Sequence, residues 1–450
     1  MILQRRVPKS YLTPIKFGIA FSLLTLIIYE FGVIEYPKFN NLKLLILVII
    51  SNIAMYLGFS VGVRQKKQEV DRNDYTQSAL RFYKVVCIVT LILCIPRFII
   101  FTGKSFSISG LVSGLQNAIS NPLQAYQEKH SLGSVGGVLR YVNYIIVLSG
   151  GLMWAYVPLS VLLWKKISTT YKVWFVLYAT LYATQYLMVG TNTGLFNLVI
   201  EIVFSILVRG LITEDKKPRR KRKPKGKYIL LIVGGVCLAV AIFNFIMESR
   251  IGDQYLNKTF HAAGVSYTSN KDHLLWKLCP EGLRSLLVNL NSYVAIGYVG
   301  LDLTLSEQLT FYPTFGGSFS RFICDNLSDL LGVDIYGYSY LGQIYEHFGF
   351  SALRSWSTMY AWWASDVSFV GIPVVMYFVM YGFGSAWRSF IKTKNVYAFL
   401  FFFLIVRFFM YISANNQVFM QYDTLNAYVF MLIAWKLSKK PRGKRGVADR

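Results

Sequence analysis

The sequence predicts an all-α fold: a polytopic integral membrane protein of about ten transmembrane helices, with a large extracellular loop region containing interfacial or re-entrant helices. Three observations lead there. Runs of about twenty apolar residues, the length that crosses a bilayer, recur along the chain. The composition is 54% hydrophobic and 16% aromatic with a mean hydropathy of +0.43, too apolar for a water-soluble globule. Lys and Arg gather in alternate segments between the runs, as they do around membrane spans.

The apolar runs fall near 17–36, 42–62, 82–101, 138–162, 173–190, 195–212, 228–247, 366–387, 396–414 and 422–437. The first follows a basic stretch, MILQRRVPKSYLTPIK, with no small-residue cleavage site after it, so it reads as a retained span. With the N-terminus cytoplasmic, the inside segments are 1–16, 64–84, 165–172, 209–227, 388–394 and 436–450. They hold 33 of the 47 Lys and Arg residues, which selects this orientation and puts both termini in the cytoplasm. The chain then divides into helices one to seven in 1–247 with a basic cytoplasmic loop at 213–227, an extracellular region at 248–365, the last spans in 366–437 and a basic tail at 438–450.

Within the outer region, LRSLLVNLNSYVAIGYVGLDLTL (283–305) is apolar but interrupted by Asn289, Asn291, Gly297, Gly300 and Asp302. A full crossing there would move every later basic segment to the wrong side, so a helix lying at the interface or a re-entrant one is expected. The run KKPRRKRKPKGK (216–227) lies between two apolar runs. The net charge of +25 therefore reads as a topology signal that also touches anionic lipid, and nucleic acid is not expected as a partner.

Enzyme signatures of soluble folds are missing: no GxSxG, Walker A or GxGxxG occurs in a strand-to-helix setting. The five cysteines show no ligand spacing; Cys87, Cys94 and Cys237 sit inside apolar runs, and only Cys279 and Cys324 are placed to pair. His130, His261, His273 and His347 form no metal-binding pair, so no metal is expected.

Arginine is where the chemistry concentrates. An ionisable residue inside a span costs a few kcal/mol on insertion scales, so each asks for a role. Arg97 and Arg407 fall within spans and Arg140 at the start of one, all in the outer half of the membrane, and Arg250 and Arg354 lie just outside at the same surface. A guanidinium stays charged and presents a planar fork of donors that matches phosphate oxygens, so these five suit a lipid-linked phosphate or diphosphate at headgroup depth. The plainer reading is that each snorkels or pairs with Glu30, Glu35, Glu201 or Asp366. Arg407 is too deep to snorkel, and Glu201 is the expected partner for one of the arginines. The outer segments are also rich in Tyr, Trp, Asn and Gln (YVNYI, NLNSY, YGYSYLGQIYEHFG, ANNQ), a composition that suits a carbohydrate as well as an interfacial aromatic belt.

Three stretches resemble a known family. NSYVAIGYVGLDLTL (291–305), FYPTFGGSFS (311–320) and RSWSTMYAWWASDVSFVGIPVVMYFVMYGFG (354–384) resemble oligosaccharide repeat unit polymerases of the Wzy, or O-antigen polymerase, type. In that family a GY-x-GL segment lies in the large outer loop and a W-x-T…W-x-ASD-x-x-F-x-G segment leads into the next span. One departure is VGTNTGLF (189–196), which carries Asn192 where the family often has an arginine.

The resemblance implies a metal-independent, cofactor-free glycosyltransferase. It would join polyprenyl-diphosphate-linked oligosaccharides at the outer face of the cytoplasmic membrane, making capsule, exopolysaccharide or O-antigen, beside flippase and chain-length regulator proteins. A hydroxyl of one unit would attack the anomeric carbon of the other chain while polyprenyl diphosphate leaves. Asp366, His347, Arg407, Arg250 and Arg354 are then the candidates for catalysis; Arg97, Arg140, Asn192, Tyr298, Trp356 and Trp363 are those for substrate binding. Asp366 is the first choice as base, with His347 and Glu346 after it, and its competing role is an N-cap at the start of the 366–387 run. A polysaccharide ligase of the same membrane class and a flippase or transporter are the alternatives, although the sequence shows no internal repeat of the kind many transporters carry.

Overall fold

The computed structural model describes residues 9–65, 75–131, 137–214, 234, 237, 240–248, 260–262 and 265–438. The apolar runs form helices because a chain without water must satisfy its backbone hydrogen bonds internally. In chain order these are α1 (Thr13–Phe31), α2 (Asn41–Arg64), α3 (Tyr75–Thr102), α4 (Ile108–Ser120), α5 (Pro122–Ser131), α6 (Val138–Leu162), α7 (Thr169–Met188) and α8 (Thr193–Glu214). After a helical stretch at 240–248 come α9 (Leu274–Leu278), α10 (Glu281–Ser306), α11 (Arg321–Leu331), α12 (Ile335–Tyr338) and α13 (Tyr340–Phe348). The chain ends with α14 (Ala352–Ser355), α15 (Met359–Thr393), α16 (Val396–Tyr411), α17 (Gln417–Met420) and α18 (Tyr422–Leu437).

Among the described residues seven helices are long and apolar enough to cross a membrane: α1, α2, α3, α6, α8, α10 and α15. They give the chain the build of a multi-pass membrane protein. Six coincide with predicted runs. Of the other four runs, α7, α16 and α18 are helices that do not combine the length and hydropathy of those seven, and half of 228–247 lies outside the described residues.

The seventh, α10, departs from expectation. The stretch read as interrupted is one continuous helix, and most of its second half is buried. Its polar residues do not break it because each finds a partner. Asp302 accepts the backbone N–H groups of Phe39 (2.7 Å) and Asn40 (2.9 Å), Asn291 accepts from the Tyr36 hydroxyl (3.4 Å), and Asn289 Nδ2 donates to Asn244 Oδ1 (3.4 Å). Asn291 and Asp302 both reach the connection between α1 and α2, so this part of α10 runs across the end of that hairpin.

Contacts sort the connections into two ends. At one, Arg388 donates to the Val63 carbonyl (2.8 Å), Trp387 to that of Tyr11 (3.1 Å), Arg209 to that of Val161 (3.1 Å) and Asn395 to the Ser438 hydroxyl (2.7 Å). At the other, β1 (Ile34–Glu35), β2 (Phe260–Ala262) and β3 (Val265–Ser269) form an antiparallel sheet in the order β1-β3-β2, which the apolar pattern did not foretell. The Met359 N–H there donates to the Ile412 carbonyl at 3.0 Å. The described flanks of the basic segments thus share one end.

Helices α2 and α15 pack backbone to backbone. Gly58 and Gly62, one turn apart, leave no room for a Cβ: one would overlap the Tyr377 carbonyl and the other the Tyr381 carbonyl. Small residues spaced i, i+4 let backbones meet where lipid supplies no hydrophobic drive for association. Gly62→Leu should therefore push α2 off α15 and destabilise the fold by about 1–3 kcal/mol. The readout is the thermal unfolding midpoint in detergent; an unchanged midpoint would show that these backbones do not meet.

Candidate functional site

Arg407 interrupts the apolar face of α16 and meets Glu201 of α8 in a buried ion pair. Its Nε (3.1 Å) and Nη2 (2.8 Å) both donate to Glu201 Oε1, and each side chain is 5% exposed. The Trp154 indole N–H, from α6, donates to the same oxygen at 2.9 Å. One turn further along both helices, Tyr411 donates to Asn197 Oδ1 at 2.9 Å. The two rungs, 407 with 201 and 411 with 197, fix α16 antiparallel to α8. Glu201 is thus an arginine's partner, as expected, and among the described residues Arg407 keeps Nη1 free of hydrogen bonds.

A second arginine arrives from α3. Arg97 lies over the Tyr182 ring, 5.7 Å from its centroid, and has no hydrogen bond or ion pair among the described residues. Arg97 and Arg407 both act electrostatically on Tyr182, and Asp423 at the start of α18 acts on both arginines. Tyr178, Tyr182 and Tyr186 stand one turn apart on α7 and form a stripe, with ring centroids 5.9 and 5.0 Å apart in succession. The sequence signal for this stripe was present but unused: YATLYATQY (178–186) repeats tyrosine every fourth residue.

The stretches that carry the family resemblance converge at a second place. The Thr358 N–H donates to the Gly297 carbonyl (3.2 Å), Trp356 stands edge-on to Tyr293 (4.7 Å), and Trp363 stacks on Phe319 (4.9 Å). Asp366 Oδ1 accepts the Thr314 hydroxyl (2.7 Å) and the Gly316 N–H (3.0 Å), while Oδ2 is buried with no partner among the described residues. Phe315 (φ 49°), Trp356 (φ 68°) and Ser368 (φ 58°) hold backbone conformations that favour glycine. Each costs about 1–3 kcal/mol, and such strain collects at functional sites.

The N-cap role for Asp366 is corrected. Thr358 caps α15, its hydroxyl accepting the Ala361 N–H at 3.3 Å, and Asp366 lies two turns in, just before the non-helical Ser368. An acid in the last turn of a helical segment opposes the macrodipole, and the two donors from 314–316 offset that. Two proposed sugar contacts are corrected as well. Tyr298 and Trp363 are 0% exposed; Tyr298 bonds to Thr25 (3.1 Å) and Trp363 is wrapped by Phe319, Phe408 and Phe419, so neither offers a face to a ligand.

The remaining candidates scatter. Arg140 is exposed on the first turn of α6, its Nε donating to the Tyr144 hydroxyl at 3.1 Å. His347 and Glu346 are exposed near the end of α13. Trp356 is half-buried against Tyr293. Asn192 is buried, donating to the Phe243 carbonyl at 3.4 Å with Oδ1 unpartnered among the described residues. Arg354 is described as a backbone position of α14 only, and Arg250 lies outside the described residues. Cys279 and Cys324 are both free thiols, so the suggested pairing is not formed.

Compared with known proteins, the chain matches no protein-family model, no curated protein and no solved structure.

Two measurements test these placements. Arg407→Met leaves Glu201 buried without its cation and should cost about 3–5 kcal/mol; adding Glu201→Gln should recover much of it, which a double-mutant cycle on unfolding midpoints would show. A double variant as unstable as the single one would count against the pair. Asp366→Asn preserves the Oδ1 acceptor, so amide hydrogen exchange across 311–320 should stay slow, whereas Asp366→Ala should speed it by removing about 1–3 kcal/mol of bonding. Equal exchange in the two variants would contradict the latch.

Proposed function

We propose that the chain polymerises polyprenyl-diphosphate-linked oligosaccharide repeat units into a surface polysaccharide at the outer face of the cytoplasmic membrane. The observation that carries this reading is an arginine without an ion pair: among the described residues Arg97 makes no hydrogen bond or salt bridge, with Asp423 acting on it only at a distance, beside Arg407 and a stripe of tyrosines. Diphosphate oxygens would take the free Nη1 of Arg407 and the fork of Arg97. Glu201 holds Arg407 in place, so the guanidinium is aligned before substrate arrives.

The diphosphate is already a good leaving group. Catalysis then asks mainly for alignment and for donors directed at the charge that develops on the departing phosphate oxygen. The acceptor hydroxyl forms the new bond to the anomeric carbon as the bond from that carbon to the diphosphate oxygen breaks, and its proton goes to a base. Asp366 Oδ2, buried and unpartnered while Oδ1 anchors the 314–316 turn, suits that role. Net positive charge at the opposite end supports placing these residues on the outer side, with both termini cytoplasmic.

The test is a reconstituted reaction on purified lipid-linked repeat units, separated by size. A ladder of graded chain lengths is expected, with Arg97→Ala slowing it roughly 10²- to 10³-fold, the scale of losing one transition-state donor. Lys277→Ala, on the exposed surface, should leave it unchanged. A single adduct would favour a ligase. Lipid-linked repeats accumulating on the inner leaflet after gene deletion would favour a flippase.

A further inference from the structure

We propose that Lys129 is the third cation of the arginine and tyrosine site, carried to it on α5 to hold the same diphosphate. This rests on the reading of that site as a diphosphate site. Arg97 and Phe101, four residues apart, share one face of α3. Lys129 Nζ stands 3.3 Å from the Phe101 ring centroid, Phe101 lies 4.7 Å from Tyr186, and Tyr186 lies 5.0 Å from Tyr182, over which Arg97 sits. One row of rings therefore runs between the two cations.

Among the described residues no carboxylate answers Lys129. The neighbouring Glu128 points to Lys104 (4.0 Å) and Gln124 (3.0 Å), and Lys129 has no ion pair among the described residues. Among the described residues, Arg97 acts on it electrostatically, Glu128 precedes it on α5 and is paired with Lys104, and Tyr186 of α7 borders the Phe101 ring that it lies over. The position of α5 is built in. Gly190, after α7, has φ 62°, and a Cβ there would overlap the Pro122 carbonyl at the start of α5.

Burial and the Arg97 charge pull the Lys129 ammonium down from 10.5 to about 7. In the empty protein this cost is full below pH 7 and is relieved as pH rises from 7 to 10.5, because the unfolded chain binds the extra proton across that window. A bound dianion reverses the balance and favours the charged amine. Binding near neutral pH should therefore take up a fraction of a proton, and affinity should fall as pH rises from 6 to 8.

The probe is a short-chain polyprenyl diphosphate in detergent, titrated calorimetrically in buffers of different ionisation enthalpy, with the monophosphate for comparison. The wild type should bind the diphosphate with proton uptake. Lys129→Met should weaken binding roughly ten- to a hundred-fold, the scale of one hydrogen bond to a charged group, and abolish the uptake. Lys129→Arg should keep the affinity and lose the uptake. Unfolding midpoints report whether each variant is folded, and Lys129→Met should not fall below wild type. Diphosphate bound equally well by Lys129→Met, or bound by wild type without proton uptake, overturns the role of Lys129. A wild type that binds no diphosphate at any pH overturns the reading of the site itself.

Discussion

A charge held in a membrane protein's interior must be answered by another charge, and the Arg407–Glu201 pair is where this chain meets that demand. Removing two ions from water costs several kcal/mol each, and their attraction repays it only when geometry is good and the remaining donors and acceptors are satisfied. Here one carboxylate oxygen collects two guanidinium N–H groups and an indole N–H. Those three side chains come from α16, α8 and α6, so satisfying one oxygen fixes three helices. The second rung, Tyr411 on Asn197, removes the freedom to slide along the shared axis. Arg97 is the contrast: a cation brought to the same tyrosines with no ion pair among the described residues.

The Asp366 region follows the same rule of satisfied burial with a different outcome. One oxygen is used to hold the 314–316 turn and the other has no partner among the described residues. Leaving a buried acceptor unmade costs about 1–3 kcal/mol, and the strained backbone at Phe315 and Ser368 beside it adds more. Such cost persists only where surrounding packing enforces it, and the stacking of Trp363 on Phe319 supplies that packing. Trp363 therefore acts as core that holds the loop carrying Thr314 and Gly316 against α15, in place of the sugar platform its exposed-looking sequence context suggested.

Periodicity and charge made most of the helices and the two ends of the bundle legible in the sequence, because both signals are local. Glu201 as an arginine's partner was legible too, since an acid at that depth has few alternatives. What was missed depended on partners far along the chain. Asn289, Asn291 and Asp302 looked like interruptions of a helix until Asn244, Tyr36 and the Phe39 and Asn40 amides satisfied them. Asp366 looked like a cap because the helix start was read from hydropathy, whereas the helix already begins at Met359 and its first two turns, MYAWWAS, are buried. Lys129 gave no signal in sequence at all; its environment exists only once α5 docks on the turn after α7.

The two regions are joined by the C-terminal end of α16. Arg407 faces Glu201, while its neighbour Phe408 packs edge-on to Trp363 with ring centroids 6.0 Å apart. Beyond the helix, the Ile412 carbonyl accepts the Met359 N–H, and Asn416 donates to the Phe319 carbonyl at 2.9 Å. The helix that carries the buried cation therefore also anchors the first turn of α15 and the 311–320 loop. On the proposed reading the site aligns a charged leaving group with an attacking hydroxyl, which needs both halves on rigid elements, because loosening by an ångström erodes the alignment. One helix end, apolar on its inner turns and hydrogen-bonded at its tip, supplies that rigidity to both.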